Sequence, residues 1–207
     1  MEKLKSSITN MALVLTGVAV ITGGILAYVN NLTSGPIAQQ KEKALADGIK
    51  AVMGGGELSV AKTDTVRQND EKGKEMTYII YQTQDSQKKD LGAAVESTTQ
   101  GFGGDLKILV GFDPEGNILG YTLLEHAETP GLGAKADKWF QADGKGSIIG
   151  LTPAEPLVVS KDGGQVDAIT ASTITSRAFL KAVNNAYNAY KKPQADGETG
   201  ASEQIEN

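Results

Sequence analysis

At 207 residues, 40% of them hydrophobic, the chain is long enough for one packed domain and an accessory segment. Its net charge of −5 and its 5% of aromatic residues, with no basic cluster, predict no binding to nucleic acid. The absence of cysteine excludes disulfides and thiolate-bound iron–sulfur clusters, and the single histidine, His126, argues against a histidine-based metal site or a Ser-His-Asp triad within one protomer.

A long uncharged stretch lies near the N-terminus. Residues 6–40 contain no charged residue, and 11–29 are almost continuously apolar. As a helix this apolar run spans about 28 Å, roughly one hydrocarbon thickness of a bilayer. A core helix of a soluble protein would show polar positions on one face, and a cleaved signal peptide would have a shorter apolar run and a small-residue cleavage site. The sequence therefore predicts a transmembrane helix over residues 8–30.

The basic residues predict the orientation of that helix. Lys3 and Lys5 precede it, and no Lys or Arg follows it until Lys41. By the positive-inside rule, residues 1–7 are then cytoplasmic and the remainder of the chain is extracytoplasmic.

Residues 31–56 predict a second helix that links the anchor to the folded domain. Pro36 suits the first position of this helix, and the glycine run at 54–56 ends it. A domain is expected over 57–192, and the acidic segment 193–207, which has almost no large apolar residue, is expected to be a disordered tail.

Short strands follow the linker helix. The candidate strands are residues 58–66, 77–82, 91–96, 105–112 and 118–124. The polar run 67–75 reads as a hairpin loop and 113–117 as a turn. The glycines of 101–104 lead into a strand and not into a helix, so they predict a tight bend between paired strands and not a dinucleotide fingerprint. The predicted fold is α+β, with a mixed, mainly antiparallel sheet and flanking helices.

Two helices and a loop complete the predicted domain. Residues 128–133 are too rich in Pro and Gly for regular structure, and 135–140 read as a short helix with two core aromatics, Trp139 and Phe140. The helix at 175–191 has apolar residues at helical spacing, and Pro193 ends it. His126 is interpreted as a structural or surface residue.

The segment 167–177 carries hydroxyls on five of its eleven residues and leads into the last helix. A helix start leaves backbone N–H groups without partners, and the peptide dipoles add partial positive charge there, so a phosphate is stabilised in front of it. Ser and Thr also gather at helix starts simply to cap them. The local pattern alone is compatible with either role.

Three features occur together in this order: the N-terminal anchor, the sequence Glu-Thr-Pro-Gly-Leu-Gly at 128–133, and Asp-Ala-Ile-Thr-Ala-Ser-Thr at 167–173. Together they resemble the FMN-binding-domain family, in particular the G subunits of Rnf ion-translocating electron-transport complexes and the related C subunits of sodium-pumping NADH:quinone oxidoreductases. The resemblance runs from the anchor to about residue 192.

The resemblance implies that a flavin transferase attaches FMN to Thr173 through a phosphodiester. Asp167 would be the motif aspartate that the transferase requires, and Thr170 the middle hydroxyl residue. The chain departs from the family motif at Ala171, where the family has Gly, and at Ser172, where it has Ala. Further cofactor-binding residues are implied at Ser172, Thr175, Glu128, Thr129, Gly131 and Leu132. Ser172 and Thr175 remain rival acceptors, and Arg177 either contacts the phosphate or is a solvated surface charge.

The implied function is electron transfer by a single-pass membrane subunit, an electron carrier within a larger complex and not a self-contained enzyme. Such a complex would couple electron flow between ferredoxin and NAD to ion translocation, and the partners would be its other subunits, the membrane and the transferase. Two alternatives remain open: a C subunit of the quinone-reducing pump, and a non-redox assembly module whose threonine segment only caps a helix.

Overall fold

A computed structural model describes residues 8–69, 73 and 75–191. The chain divides into two compact units between Ala44 and Leu45. The predictions for residues 1–7 and 193–207, and part of the predicted loop at 67–75, lie outside the described residues.

The first element is a single helix, α1 (Ile8–Val52). Its apolar part is long and apolar enough to cross a membrane, and none of that part is buried within the structure. The sequence predicted a second helix beginning at Pro36, whereas the structure has one helix with Pro36 inside it. Proline removes one backbone hydrogen bond there. On the N-terminal side of the proline, the hydroxyls of Thr33 and Ser34 donate to the carbonyls of Val29 and Asn31.

Five antiparallel strands follow and pair in sequence order as a meander. They are β1 (Ser59–Asn69), β2 (Glu75–Gln84), β3 (Asp90–Gln100), β4 (Asp105–Phe112) and β5 (Ile118–His126). The bounds of β4 agree with the prediction. β1 and β2 are longer than predicted because their ladder continues to the pair Asn69–Glu75, which leaves a shorter loop than 67–75. Within the described residues, the one parallel pairing is an isolated bridge between Val159 and Val166.

Strand β4, which lies between β3 and the edge strand β5, is buried on both faces. Ile108, Val110 and Phe112 belong to the main core, whereas Leu109 lies in a smaller cluster with Ile49 and Val52 from the C-terminal end of α1. A strand covered on both faces loses the alternation of apolar and polar residues, because either face can bury an apolar side chain.

Two further helices cover the core. A short helix, α2 (Ala136–Trp139), follows a 3-10 turn, and the long helix α3 (Thr173–Lys191) packs on β3 and β4. The Phe140 ring stacks on Phe179 of α3 with centroids 4.4 Å apart, so this predicted core aromatic is buried. The predicted helix 175–191 begins two residues earlier, and Thr173 is its first residue.

Candidate functional site

One cavity of about 380 Å³ lies between the start of α3, the loop after β5 and the bend between β3 and β4. Its volume falls in the range of small-molecule sites. Residues from all three segments line it: Phe102, Glu128, Thr129, Leu132, Gly133, Ala171, Ser172, Thr173, Ile174 and Thr175.

A buried glutamate joins these three segments. Oε1 of Glu128 accepts hydrogen bonds from the backbone N–H groups of Phe102 (2.8 Å) and Gly103 (3.2 Å), both in the β3–β4 bend. Oε2 accepts a 2.6 Å hydrogen bond from the hydroxyl of Thr175 in α3. Because a buried carboxylate needs such donors, Glu128 fixes the bend and the helix against its own loop. We name this arrangement the Glu128 clamp.

Two glycines make room for the Glu128 clamp. A Cβ on Gly101 would collide with Oε1 of Glu128, and a Cβ on Gly133 would collide with Oε2 and lie 2.7 Å from Oγ1 of Thr175. Gly101 and Gly133 are therefore required by the packing of the buried carboxylate.

The backbone of the threonine segment turns sharply before α3. Ala171 has a φ of 62°, in the left-handed region that favours glycine. Ser172 N donates to Ile169 O, and Ser172 O accepts the first helical hydrogen bond from Ser176 N. The Ser176 hydroxyl donates to Ser172 O and accepts from Ile169 N, so this serine supports the turn from inside.

The three candidate acceptor hydroxyls differ in accessibility. Thr175 is 2% exposed and donates to Glu128, and Ser172 is 8% exposed. Thr173 is half-buried at the rim of the cavity, and its Oγ1 accepts a 3.1 Å hydrogen bond from the Nζ of Lys161. Of the three, Thr173 presents its hydroxyl most openly.

The other two residues of the motif lie away from the cavity lining. Asp167 is exposed, and its Oδ1 accepts a hydrogen bond from the hydroxyl of Ser160, while its carbonyl accepts from the indole N–H of Trp139. Thr170 is exposed as well. Gly131, predicted from the loop after β5, is exposed and has a φ of 77°.

Arg177 is engaged in an ion pair. Its Nε and Nη2 each lie 2.7 Å from the carboxylate of Asp162 in a bidentate arrangement. The hydrogen bond from Arg177, together with its charge and that of Lys161, lowers the pKa of Asp162. The guanidinium is exposed and forms an ion pair with Asp162.

The structure brings six of the nine predicted site residues to the cavity. These are Glu128, Thr129, Leu132, Ser172, Thr173 and Thr175. Sequence reasoning missed Phe102, which is 68% exposed, together with Gly133, Ile174 and the Lys161 contact. An aromatic residue flanked by glycines was the available signal for Phe102, because a large apolar side chain left exposed on a bend often marks a binding surface.

The arrangement suits a ligand with a flat apolar body and an anionic group. Phe102, Leu132 and Ile174 give apolar walls, although each of these side chains is more than a third exposed. The accessible hydroxyl of Thr173 and the ammonium group of Lys161 lie together beside them. A cation and a hydroxyl at one position can hold a phosphate group.

Two family models match the chain. The model of the FMN-binding domain matches residues 101–188, which include every cavity-lining residue, and the model of the RnfG N-terminal region matches residues 1–52.

Curated relatives match nearly the whole chain. A protein of Shewanella baltica (strain OS223), named as the G subunit of an ion-translocating oxidoreductase complex, is 32% identical over 201 residues, which cover 93% of each chain. A protein of Aliivibrio fischeri (strain MJ11) with the same name is 34% identical over 194 residues, covering 89% of this chain and 91% of the relative.

Among solved structures, the crystal structure of NqrC from Shewanella oneidensis superposes with a TM-score of 0.42 at 19% identity, covering 63% of this chain and 70% of that one. The two family models match residues 1–52 and 101–188, and relatives above 30% identity match nearly the whole chain. The chain therefore belongs to the family of G subunits of ion-translocating oxidoreductase complexes.

Proposed function

We propose that the protein is a membrane-anchored electron-transfer subunit that carries FMN within an Rnf-type complex. The complex would couple electron transfer between ferredoxin and NAD to ion translocation, and the partners of the chain would be the other subunits. The observation that carries this proposal is the cavity inside the FMN-binding domain, with Thr173 at its rim and Lys161 beside the Thr173 hydroxyl.

The cavity residues fit FMN. The apolar side chains of Phe102, Leu132 and Ile174 offer surfaces for a flat ring, and the volume of about 380 Å³ is adequate for a ring system with part of the cavity open to solvent. The start of α3 and the ammonium group of Lys161 favour an anion at Thr173. Bound FMN supplies reversible one- and two-electron transfer.

We propose further that the attachment is covalent, through Thr173. The hydroxyl oxygen of Thr173 forms a bond to the FMN-side phosphorus of FAD, the phosphoanhydride bond breaks, AMP leaves, and the hydroxyl proton passes to a base of the flavin transferase or to solvent. Thr175 is committed to Glu128 and buried, and Ser172 is buried, so both are less suited to this reaction.

The remaining site residues hold and shape the cavity. Glu128 binds the backbone of Phe102 and the hydroxyl of Thr175, and the loop residues Thr129 and Leu132 line the cavity with them. Asp167 orders the chain before the threonine segment through Ser160, and with Thr170 it stands exposed where a transferase can recognise it. None of these roles requires a proton to be transferred.

The proposed topology places residues 1–7 in the cytoplasm, residues 8–30 across the membrane, and the FMN-binding domain of 57–192 outside the cytoplasm. The uncharged apolar part of α1 and the lysines at positions 3 and 5 support it. Protease added to intact spheroplasts should cleave the domain, and protease added to inside-out vesicles should leave it whole. The reverse pattern contradicts the topology.

Flavin fluorescence in a denaturing gel tests the covalent attachment. The full chain is expressed in membranes together with a flavin transferase, with and without FAD supplied to the reaction. We expect a fluorescent band and an added mass of one FMN residue, and Thr173→Ala should lose both. The absence of fluorescence in the unsubstituted protein contradicts the proposal, and an unchanged added mass in Thr173→Ala moves the site to Ser172 or Thr175.

A further inference from the structure

A lysine outside both sequence motifs lies against the proposed attachment residue. Lys161 belongs to the short 3-10 turn Ser160–Asp162, twelve residues before Thr173, and its Nζ donates to Oγ1 of Thr173. It is exposed, so the ammonium group reaches the threonine from the solvent side of the cavity rim.

The turn that carries Lys161 is held in place on both sides. Before it, the Ser160 hydroxyl donates to Asp167 and Ser160 N donates to Val166 O. After it, the carboxylate of Asp162 binds Arg177 of α3 in a bidentate ion pair. These contacts fix the backbone of Lys161 relative to both ends of the threonine segment, so only its side chain has to be ordered to reach Thr173.

The two cations near the threonine segment, Lys161 and Arg177, have different hydrogen-bond partners. The guanidinium of Arg177 is hydrogen-bonded to the carboxylate of Asp162, whereas the hydrogen bond of Lys161 goes to a neutral hydroxyl and only its charge acts on Asp162. Once that hydroxyl is esterified, its oxygen has no proton, and the phosphodiester brings one negative charge to within reach of the ammonium group. Lysine is well suited to this change, because its charge is compact and its four-carbon stem can move from the ester oxygen to a non-bridging oxygen.

We infer that Lys161 is a phosphate-binding residue of the flavin site, which attracts the FMN phosphoryl group to Thr173 and then pairs with the phosphodiester. This inference rests on the proposed function. It gives a role to the turn at Ser160–Asp162 and to the exposed carboxylate of Asp167, whose bond to Ser160 holds that turn. The group that Lys161 would bind is a singly charged phosphate joined to a flavin.

The test compares Lys161→Gln and Lys161→Arg with a matched control, Lys181→Gln, which removes an exposed lysine from α3 away from Thr173. Each full-length protein is incubated with a flavin transferase and FAD, and the initial rate of FMN attachment is measured by intact mass. We expect Lys161→Gln to slow attachment roughly three- to tenfold, a range set by solvent screening of an exposed charge. Lys161→Arg, which keeps the charge, should restore most of the rate lost in Lys161→Gln, and Lys181→Gln should react at nearly the unsubstituted rate.

Two further readouts separate a phosphate contact from other roles. Salt screens the attraction between Lys161 and the phosphate, so raising the salt concentration from about 50 mM to about 500 mM should slow FMN attachment to the unsubstituted protein towards the rate of Lys161→Gln. The attachment rate of Lys161→Gln should itself change little with salt. The phosphorus NMR resonance of the loaded protein should shift in Lys161→Gln and not in Lys181→Gln.

Unchanged rates in Lys161→Gln overturn the inference. A slower rate with an unshifted phosphorus resonance overturns it as well, because the lysine then contacts the transferase and not the phosphate. If the unsubstituted protein gains no FMN at all, the proposed function fails, and that result is distinct from a failure confined to Lys161.

Discussion

The Thr175 hydroxyl donates a 2.6 Å hydrogen bond to Oε2 of Glu128, 47 residues earlier in the chain. The other oxygen of the same carboxylate binds the bend at Phe102 and Gly103, so one side chain connects three segments that are distant in sequence. These are the segments that line the cavity. This carboxylate therefore adds a direct link between the threonine segment and the bend at Phe102, beside the packing of α3 on β3.

Substitution of Glu128 should weaken the folded domain in a graded way. In Glu128→Ala the N–H groups of Phe102 and Gly103 and the Thr175 hydroxyl lose their acceptor, which should lower the free energy of unfolding by about 2–3 kcal/mol. Glu128→Gln keeps one acceptor oxygen and should cost about 1 kcal/mol. Chemical denaturation in detergent measures both, with Glu155→Ala, an exposed loop substitution, as the control.

Equal losses of unfolding free energy in Glu128→Ala and Glu128→Gln would contradict the clamp, because only the glutamine retains an oxygen that can accept these hydrogen bonds. A loss in Glu155→Ala as large as that in Glu128→Ala would also contradict it.

Thr175→Val should separate the clamp from flavin attachment. Valine keeps the shape of the side chain and removes the hydroxyl, so the unfolding free energy should fall by about 1–2 kcal/mol. The added mass of FMN should persist in Thr175→Val and disappear in Thr173→Val. In combination with Glu128→Ala, the loss should be smaller than the sum of the single losses by at least about 0.5 kcal/mol, because both substitutions remove the same bond. Additive losses would show that the two residues are not coupled.

Local patterns in the sequence were sufficient for much of the fold. β4 has the predicted bounds because its ends are marked by glycines on one side and by the turn beginning at Asp113 on the other. The bend at 101–104 and the irregular loop at 128–133 follow equally from glycine and proline content. α3 begins at Thr173, two residues before the predicted start, because Ser172 O already accepts a helical hydrogen bond from Ser176 N.

The parts that sequence did not predict depend on long-range contacts. The buried face of β4 at Leu109 is covered by α1, and no local periodicity reports which faces a helix will cover. The Glu128 clamp and the Lys161–Thr173 contact each join residues that are separate in sequence. The local preference of proline favours a helix start at Pro36, whereas in the structure Pro36 lies inside α1.

Gly133→Ala should disrupt the clamp, whereas Gly131→Ala should not. A methyl group at Gly133 would collide with the Glu128 carboxylate, and we expect a loss of about 1–3 kcal/mol from forced repacking. Gly131 has open space around it and a φ of 77°, so alanine there should cost about 1 kcal/mol from backbone strain alone. Adding Glu128→Ala should reduce the cost of Gly133→Ala and leave that of Gly131→Ala unchanged. If the cost of Gly133→Ala is the same with and without Glu128, the collision is not its cause.

Tyr190 should make stability depend on alkaline pH. Its hydroxyl donates to Asp113 O and its ring stacks on Phe112, and burial, with the nearby carboxylates of Asp90, Asp113 and Glu115, raises the pKa of Tyr190 to about 12. The folded state thus favours neutral tyrosine. Its contribution should be complete below about pH 10, the unfolded value, and should be lost as pH rises through about 12.

The free energy of unfolding should fall as the pH rises between these two values. In Tyr190→Phe it should fall less steeply with pH. Tyr121 also has a pKa raised by burial and accounts for part of the remaining slope. An unchanged slope in Tyr190→Phe would contradict the assignment.

Ala171→Gly should stabilise the domain and speed FMN attachment. Alanine at a φ of 62° carries a strain of about 1–2 kcal/mol that glycine avoids, and the greater freedom of glycine in the unfolded chain offsets about 0.4–1 kcal/mol of it. The net gain should be up to about 1.5 kcal/mol. Ala154→Gly, at an exposed loop position outside the left-handed region, should lose stability because only the unfolded-state effect acts there. The transferase must reach Thr173 through this turn, and glycine lets the turn adjust without strain, so attachment measured by intact mass should be faster in Ala171→Gly. A loss of stability equal to that of Ala154→Gly would show that Ala171 is not strained, and a slower attachment would show that the rigid turn presents Thr173 better than a flexible one.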